Sequence, residues 1–448
     1  MLSCGTLVHM TSMLSNTSVW YLLVGALLLL VVLLQSALKR LPVSAAMLYL
    51  LIGVVLGPSG IGLLQIDPLR DAVTLERIAE LAVLISLFSV GLKMRLPLRH
   101  RDWAIALRLA AGALIFTIGP LSLLAKFALG IPFAAALLLA AILSPTDPVL
   151  ASDVQLRHPG DRDRARFSLT AEGGVNDGIA LPFVILALNL LGVHEPQDVL
   201  HWLALEVLWP IPVGVASGWL CAYAAGRLTL RMRRQDSAAI GLDEFLALGV
   251  MGIAYGVALA LHGNGFLAVF AAGLALRRFE VSELDDAAAQ RVPLQEIEAS
   301  APPEAPAHLM RAVLAFNEQL EHIFEVGVVL LIGALLRPTD LTLTALIVAA
   351  ALFFVVRPLS VLATFPSRAL PASQRRLMAW FGIRGVGSLF YLMYAVNRGI
   401  DAELAHQMVS IVLPVIAASI IVHGISATPI MERYARTRTS QRQSTGGP

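Results

Sequence analysis

The run Ala171-Glu172-Gly173-Gly174-Val175-Asn176-Asp177-Gly178 puts two carboxylates and an amide inside an apolar stretch. Ionisable groups at membrane depth are costly, tend to face a bundle interior or a wet cavity, and mark ion or proton pathways. On a helix Glu172 and Asn176 share a face, and Asp177 lies about 100° further round, so the three converge on one sector. Such a cluster offers reversible binding of a proton or a hard monovalent cation to oxygen. The glycines at 173, 174 and 178 leave room for a blander use, in which Asp177 caps a broken helix.

Two further stretches carry polar groups of the same kind. Ser144-Pro145-Thr146-Asp147-Pro148 has two prolines that remove backbone donors, so a continuous helix is not expected there. Broken helices leave free carbonyls and half-helix ends, and irregular backbone at this depth is tolerated where it lines a cavity. Asp147 suits the positive N-terminus of a half-helix, and Thr146 supplies a hydroxyl and a carbonyl; a plain proline kink with a solvent-facing Asp147 is the alternative. Phe381-Gly382-Ile383-Arg384-Gly385-Val386-Gly387-Ser388 holds an arginine among glycines. A buried Arg384 needs a carboxylate, and Glu172 is the candidate partner; otherwise Arg384 snorkels to the interface.

These groups need a frame, and composition shows its kind. Of 448 residues, 57% are hydrophobic and 14% charged, against about 25% charged in an average soluble domain. With a mean hydropathy of +0.76, this is the composition of an all-α polytopic membrane protein. A net charge of +2 excludes a nucleic-acid surface. Cys4 and Cys221 are too few for a disulfide framework or a thiolate metal site. His9, His262, His406 and His423 have no partners at metal-ligand spacing and are read as structural.

Apolar runs of about 20 residues read as spans. They lie near 19–38, 43–63, 76–94, 104–125, 131–152, 167–191, 199–225, 244–262, 264–278, 319–336, 341–364, 377–397 and 406–430, thirteen in all. Arginine clusters such as Arg95, Arg99 and Arg101, or Arg227, Arg231, Arg233 and Arg234, then fall on one side. The other side receives only Arg70, Arg77, Lys126, Arg337 and Arg398. The positive-inside rule sets the N-terminus outside and the C-terminus in the cytoplasm of a cell inner (plasma) membrane. Residues 1–18 are then an extracytoplasmic segment, 19–278 carry spans 1–9, 279–318 form a cytoplasmic linker, 319–430 carry spans 10–13, and 431–448 form a tail, disordered from Thr437 onward. Glu321 and Glu325, four apart on span 10, are placed to pair with Arg357 of span 11 or to be solvated at the interface. Glu80, early in span 3, is either a proton relay or a residue of the outer interface.

Thr146-Asp147-Pro148, Glu172 with Asn176-Asp177, and Gly382-Ile383-Arg384-Gly385, in this order and in spans 5, 6 and 12, resemble the NhaP-type sodium/proton antiporters of the monovalent cation:proton antiporter superfamily. The resemblance runs from about Leu22 to Ile430. It implies a homodimer, an inverted repeat, and fifth and twelfth helices that cross unwound. It makes Asp177 the essential cation and proton carboxylate, Asn176 its neighbour, Thr146 a ligand or crossing residue, and Glu172 the partner of Arg384. Asp147 is grouped with the cation- and proton-binding residues, and Na+ itself with Asp177 and Thr146. Where some relatives carry serine after the glutamate, this chain has Gly173, which takes a hydroxyl out of the ion's shell.

The expected activity is antiport, not enzymatic catalysis. Na+ or Li+ competes with H+ for Asp177, and alternating access exchanges them across the bilayer with no cofactor. With asparagine at 176, one carboxylate exchanges one proton, so electroneutral 1:1 exchange is expected; in the family, Asn-Asp members are associated with that stoichiometry. K+/H+ exchange by the same mechanism is the near alternative, and a cation channel or an intramembrane aspartyl protease are the remote ones.

Overall fold

This computed structural model describes residues 21, 22, 25, 29, 33, 44–156, 161, 163–193, 198–235, 243–289, 305–365 and 370–444. Residues 1–18 and most of the first span lie outside the described residues. Among the described residues the fold is all-helical, with the second to the thirteenth spans in sequence order. Five helices among the described residues are long and apolar enough to cross a membrane, including Arg101–Leu129 (span 4), Arg164–Leu190 (span 6) and Leu343–Thr364 (span 11).

Two spans are broken. Span 5 is helical over Phe133–Leu143 and loses helical form through Ser144 to Pro148. Span 12 consists of two half-helices, Ala372–Trp380 and Val386–Asn397, joined by extended backbone at Phe381 to Gly385. At 1.5 Å per residue, the half-helices Phe133–Leu143 and Val386–Asn397 are each about 16–18 Å long, roughly half a bilayer core, so the breaks fall near mid-depth.

The pattern repeats with an offset of seven spans. Spans 5 and 12 are both broken; spans 4 and 11 both carry a π-turn, Arg108–Ala113 and Leu352–Val356. Span 2 (Ala45–Leu56) packs on span 10 (Ala305–Leu335), and span 9 (Gly265–Ala289) packs on span 3 (Ala72–Lys93), the contact that the offset predicts. Each contact rests on a pair of glycines. A Cβ on Gly333 would meet the Gly53 Cα at 2.9 Å, and one on Gly91 would meet the Gly273 carbonyl carbon at 3.0 Å. Small residues let backbones approach where lipid provides no hydrophobic drive between helices. An offset of seven, being odd, inverts the second copy relative to the first. Spans 4, 5, 6, 11, 12 and 13 form one packed group around the crossing, and spans 2, 3, 7, 8, 9 and 10 form a second that braces it.

The helices differ from the expected boundaries at the linker and the tail. Span 9 runs on to Ala289 and span 10 begins at Ala305, so the linker expected over 279–318 narrows to 290–304, outside the described residues. The flanks are rich in Ala, Glu, Leu and Arg, good helix formers, so each helix continues past its apolar segment with its backbone paired. Pro306 takes a first-turn position, where its missing N–H costs nothing. Span 13 likewise continues to Ser444 instead of ending at 430, and its extension carries an i,i+4 pair, Glu432 with Arg436 at 3.3 Å.

Candidate functional site

The broken segments of spans 5 and 12 cross and hold each other. The Asp147 N–H donates to the Ile383 carbonyl at 2.8 Å. In return, one Asp147 carboxylate oxygen accepts from the Val386 N–H, the first residue of the Val386–Asn397 half-helix. The other oxygen accepts from the N–H of Val149 at 2.8 Å. Asp147 thus caps a helix start across the crossing and the turn after its own break, both positive ends of the backbone. It was grouped with the ion ligands on sequence; the structure places it as a brace, because both its oxygens are engaged by backbone donors.

Arg384 plays the opposite part. Its guanidinium donates to the carbonyl of Leu143, the last residue of the Phe133–Leu143 half-helix, and to that of Gly382. Its backbone N–H donates to Ser419 Oγ at 2.8 Å. A buried cation therefore sits on the negative end of one half-helix, and a buried anion on the positive end of the other.

Glu172 does not pair with Arg384 as expected. It is held by Arg357 of span 11 in a two-pronged ion pair, with Nη2 to Oε2 at 2.8 Å and Nη1 on Oε1. Both side chains are 3% exposed. Arg357 Nη2 also donates to the carbonyls of Met378 and Phe381 at 3.0 Å each, closing the C-terminal end of the Ala372–Trp380 half-helix. Two arginines compete for one acid, and the outcome depends on where each stem starts: Arg357 follows the π-turn of span 11 and enters from the side, whereas Arg384, within the crossing, meets the free carbonyls first. Glu321 and Glu325 are therefore not partners of Arg357. Glu321 accepts from Ser86, Ser89 and Lys93 of span 3 at 3.1, 2.8 and 3.3 Å, and Glu325 contacts His322 at 3.3 Å.

Asn176 donates through Nδ2 to both the hydroxyl (2.7 Å) and the carbonyl (3.2 Å) of Thr146, tying span 6 to the break. What remains is unusual. Asp177 is 1% exposed, and neither of its carboxylate oxygens has a hydrogen-bond partner among the described residues; Asn176 Oδ1 has none either. Buried polar atoms are nearly always paired, so three orphaned oxygens on adjacent residues call for an explanation, and a bound proton or cation is the chemical one. They are hard oxygen donors suited to an alkali cation.

The surroundings keep that carboxylate in place. Pro182 deprives the Gly178 carbonyl of its helical donor, and Asn264 of span 9 replaces it with a 2.8 Å bond. Tyr391 of span 12 donates its hydroxyl to the Asp177 carbonyl. Gly387 passes so near that a Cβ there would stand 2.6 Å from Asp177 Oδ1. Gly173 has a similar origin, since its Cβ would meet the Pro148 Cβ at 2.9 Å: close packing of the break, not ligation, sets the residue type. Tyr391 and Asn264 carry no signal in the sequence beyond lying in polar-containing spans, whereas Gly387 is one of the glycines around Arg384. Arg357 carries a signal, as a charge inside an apolar run.

The two sides of the crossing are lined differently. On the side of the arginine-bearing loops, a cavity of about 170 Å³ has Leu150 and Ile383 of the crossing in its wall, and a neighbouring one of about 380 Å³ is lined by Lys93, Glu318, Glu321, His322 and Glu325. Towards the opposite side Phe266 packs edge-on against Phe390 (5.1 Å between centroids) and Tyr391 (6.4 Å), and Tyr255 adds to the stack. Glu80 is not free beside them: it accepts from Tyr255 and from Arg77.

The matches to known proteins agree with this frame. Residues 25–433 fit the family model described as the transmembrane domain of sodium/hydrogen exchangers. The K(+)/H(+) antiporter NhaP of Alkalimonas amylolytica is 26% identical over 415 residues, and the K(+)/H(+) antiporter NhaP2 of Shewanella sp. strain MR-4 is 24% identical over 414. Each alignment takes in 91% of this chain and 66% of the relative, so the chain spans just under two thirds of the length of these relatives. The structure of the sodium proton antiporter MjNhaP1 from Methanocaldococcus jannaschii superimposes with a TM-score of 0.66 at 19% identity, covering 90% of this chain and 94% of that one, which shows a common fold. The chain belongs to the transmembrane sodium/hydrogen exchanger family.

Proposed function

We propose that this chain is a secondary antiporter that exchanges a monovalent alkali cation for a proton, with Asp177 as the shared site. The observation that carries this reading is the buried Asp177 carboxylate, both of whose oxygens are unpartnered among the described residues while the acids around it are paired. An empty, charged carboxylate is too costly to carry through the barrier, so the protein crosses only with a proton or a cation on Asp177. Asn176 Oδ1 adds a ligand oxygen, and Thr146 is held by Asn176 beside the site. Exchange is 1:1 and electroneutral, since with asparagine at 176 and Glu172 engaged by Arg357 the Asp177 carboxylate alone is left to exchange its load. The arginine-bearing loops and the C-terminus face the cytoplasm, the membrane is the plasma membrane, and the working unit is a homodimer. This is transport, not enzymatic catalysis.

Na+ or Li+ is the first reading of the cation. K+ is the second, supported by the names of the two antiporters aligned above. The test is cation-induced proton movement in inside-out vesicles from a host without its own antiporters, titrating Na+, Li+ and K+ beside Asp177→Asn. A saturable response to Na+ or Li+, absent in the variant, is expected. A response to K+ alone moves the substrate to the second reading. A variant as active as the parent would refute the site.

A further inference from the structure

Away from the ion site, a pocket of about 900 Å³ opens between spans 11, 12 and 13 at the arginine-bearing end of the bundle. Pro358 and Leu362 of span 11 and Trp380 of span 12 form an apolar wall, while Arg375, Arg376 and Arg433 stand around it. Among the described residues its lining contains no carboxylate, and none pairs with these three arginines. We propose that this pocket binds an acidic phospholipid of the bilayer.

The occupant follows from the two halves of the pocket. Its apolar wall continues into a lipid-exposed face on span 11, where Phe354, Val355 and Leu359 are 57%, 50% and 58% exposed, so acyl chains have a track leading away from the mouth. Three arginines at the end of that track match a phosphate group, and basic pockets between helices on the cytoplasmic side are where acidic head groups dock. Trp380 lies at the depth where tryptophan marks the membrane interface. A free phosphate would leave the apolar wall unused. A second copy of the chain docking by this face would bring like-charged arginine clusters together.

The site bears on the crossing. Arg375 and Arg376 sit on the Ala372–Trp380 half-helix, whose end hands the Met378 and Phe381 carbonyls to Arg357. A lipid clamped on that half-helix ties the leaflet to the segment that supports the Glu172–Arg357 pair. This inference does not depend on which ion is exchanged, or on antiport itself.

The full chain, purified and delipidated in detergent, is titrated with phosphatidylglycerol brominated in its acyl chains. Quenching of Trp380 is read as the difference from Trp380→Phe. Saturable quenching is expected, at least ten-fold tighter than with brominated phosphatidylcholine. Each of Arg375→Gln, Arg376→Gln and Arg433→Gln should weaken it about five-fold, and the triple variant should bring it to the phosphatidylcholine level. A triple Arg→Lys variant should retain most of the binding, and the single variants at these partly exposed positions keep the test alive if the triple Gln variant does not fold. Equal quenching by the two lipids overturns the proposal. So does displacement by millimolar inorganic phosphate, which would mean a free-anion site, or dissociation of an oligomer by the Gln variants, which would mean a protein interface.

Discussion

Asp147 and Asp177 are both aspartates buried to within a few per cent at mid-depth, yet the carboxylate of one is taken up by backbone donors and that of the other is left without a partner among the described residues. Asp147 holds backbone N–H groups from two segments, including the start of a half-helix. The Asp177 carboxylate holds nothing among the described residues. Burial alone therefore says little about role. A buried acid whose oxygens are satisfied is structure, and one whose oxygens are orphaned is kept for something that comes and goes. Glu172 belongs with Asp147, because its oxygens are taken by Arg357.

The contrast is sharpest in stability. Asp147→Ala strands the N–H groups of Val386 and Val149 where water does not reach, and should cost about 3–5 kcal/mol, read as a lower melting temperature and poor membrane insertion. Asp177→Asn should melt within about 0.5 kcal/mol of the parent while losing exchange, since no bond within the protein is removed. Equal destabilisation by the two changes would end the distinction drawn here.

Glu172→Gln leaves Arg357 as a buried cation without its anion, a loss of about 3 kcal/mol. Adding Arg357→Met should recover much of it, whereas adding Arg384→Met should not, which separates the two arginines by thermal melting. A larger recovery with Arg384→Met would restore the pairing expected from sequence.

Gly387→Ala probes the orphaned carboxylate from outside. Its methyl would crowd Asp177 Oδ1, so the half-saturating cation concentration should rise by about ten-fold, or 1.4 kcal/mol, with a smaller change in melting. An unchanged cation titration would mean that the ion does not use that face of Asp177.

The smallest effect lies outside the spans. Burial acts to push the Asp67 carboxyl up, but the N–H groups of Arg70 and Leu69 and the Arg337 guanidinium at 3.2 Å outweigh it and hold Asp67 below the usual carboxylate range. A lowered folded value means stability that is present above about pH 4 and lost as pH falls through the folded value. The Asp67 and Arg337 side chains are 36% and 42% exposed, so Asp67→Asn should cost less than about 1 kcal/mol at pH 7 and progressively less as the pH is lowered, as melting across that range would read.

Much of this was legible in one dimension. Thirteen apolar runs, two of them interrupted by Pro145-Thr146-Asp147-Pro148 and by glycines around Arg384, determine a polytopic bundle with two broken spans, because hydrocarbon admits backbone only when its polar groups are paired. The polar residues of the site were equally visible, since acids and amides stand out in an apolar run. What the sequence left undecided was who pairs with whom. Glu172 was assigned to Arg384 and Arg357 to the acids of span 10, Asp147 had a half-helix start or an ion, and the orphaning of Asp177 is a statement about every neighbour at once. Those choices turn on a few ångströms of stem position set by the π-turn before Arg357 and by the crossing itself, distances that arise only when spans far apart in the chain pack together.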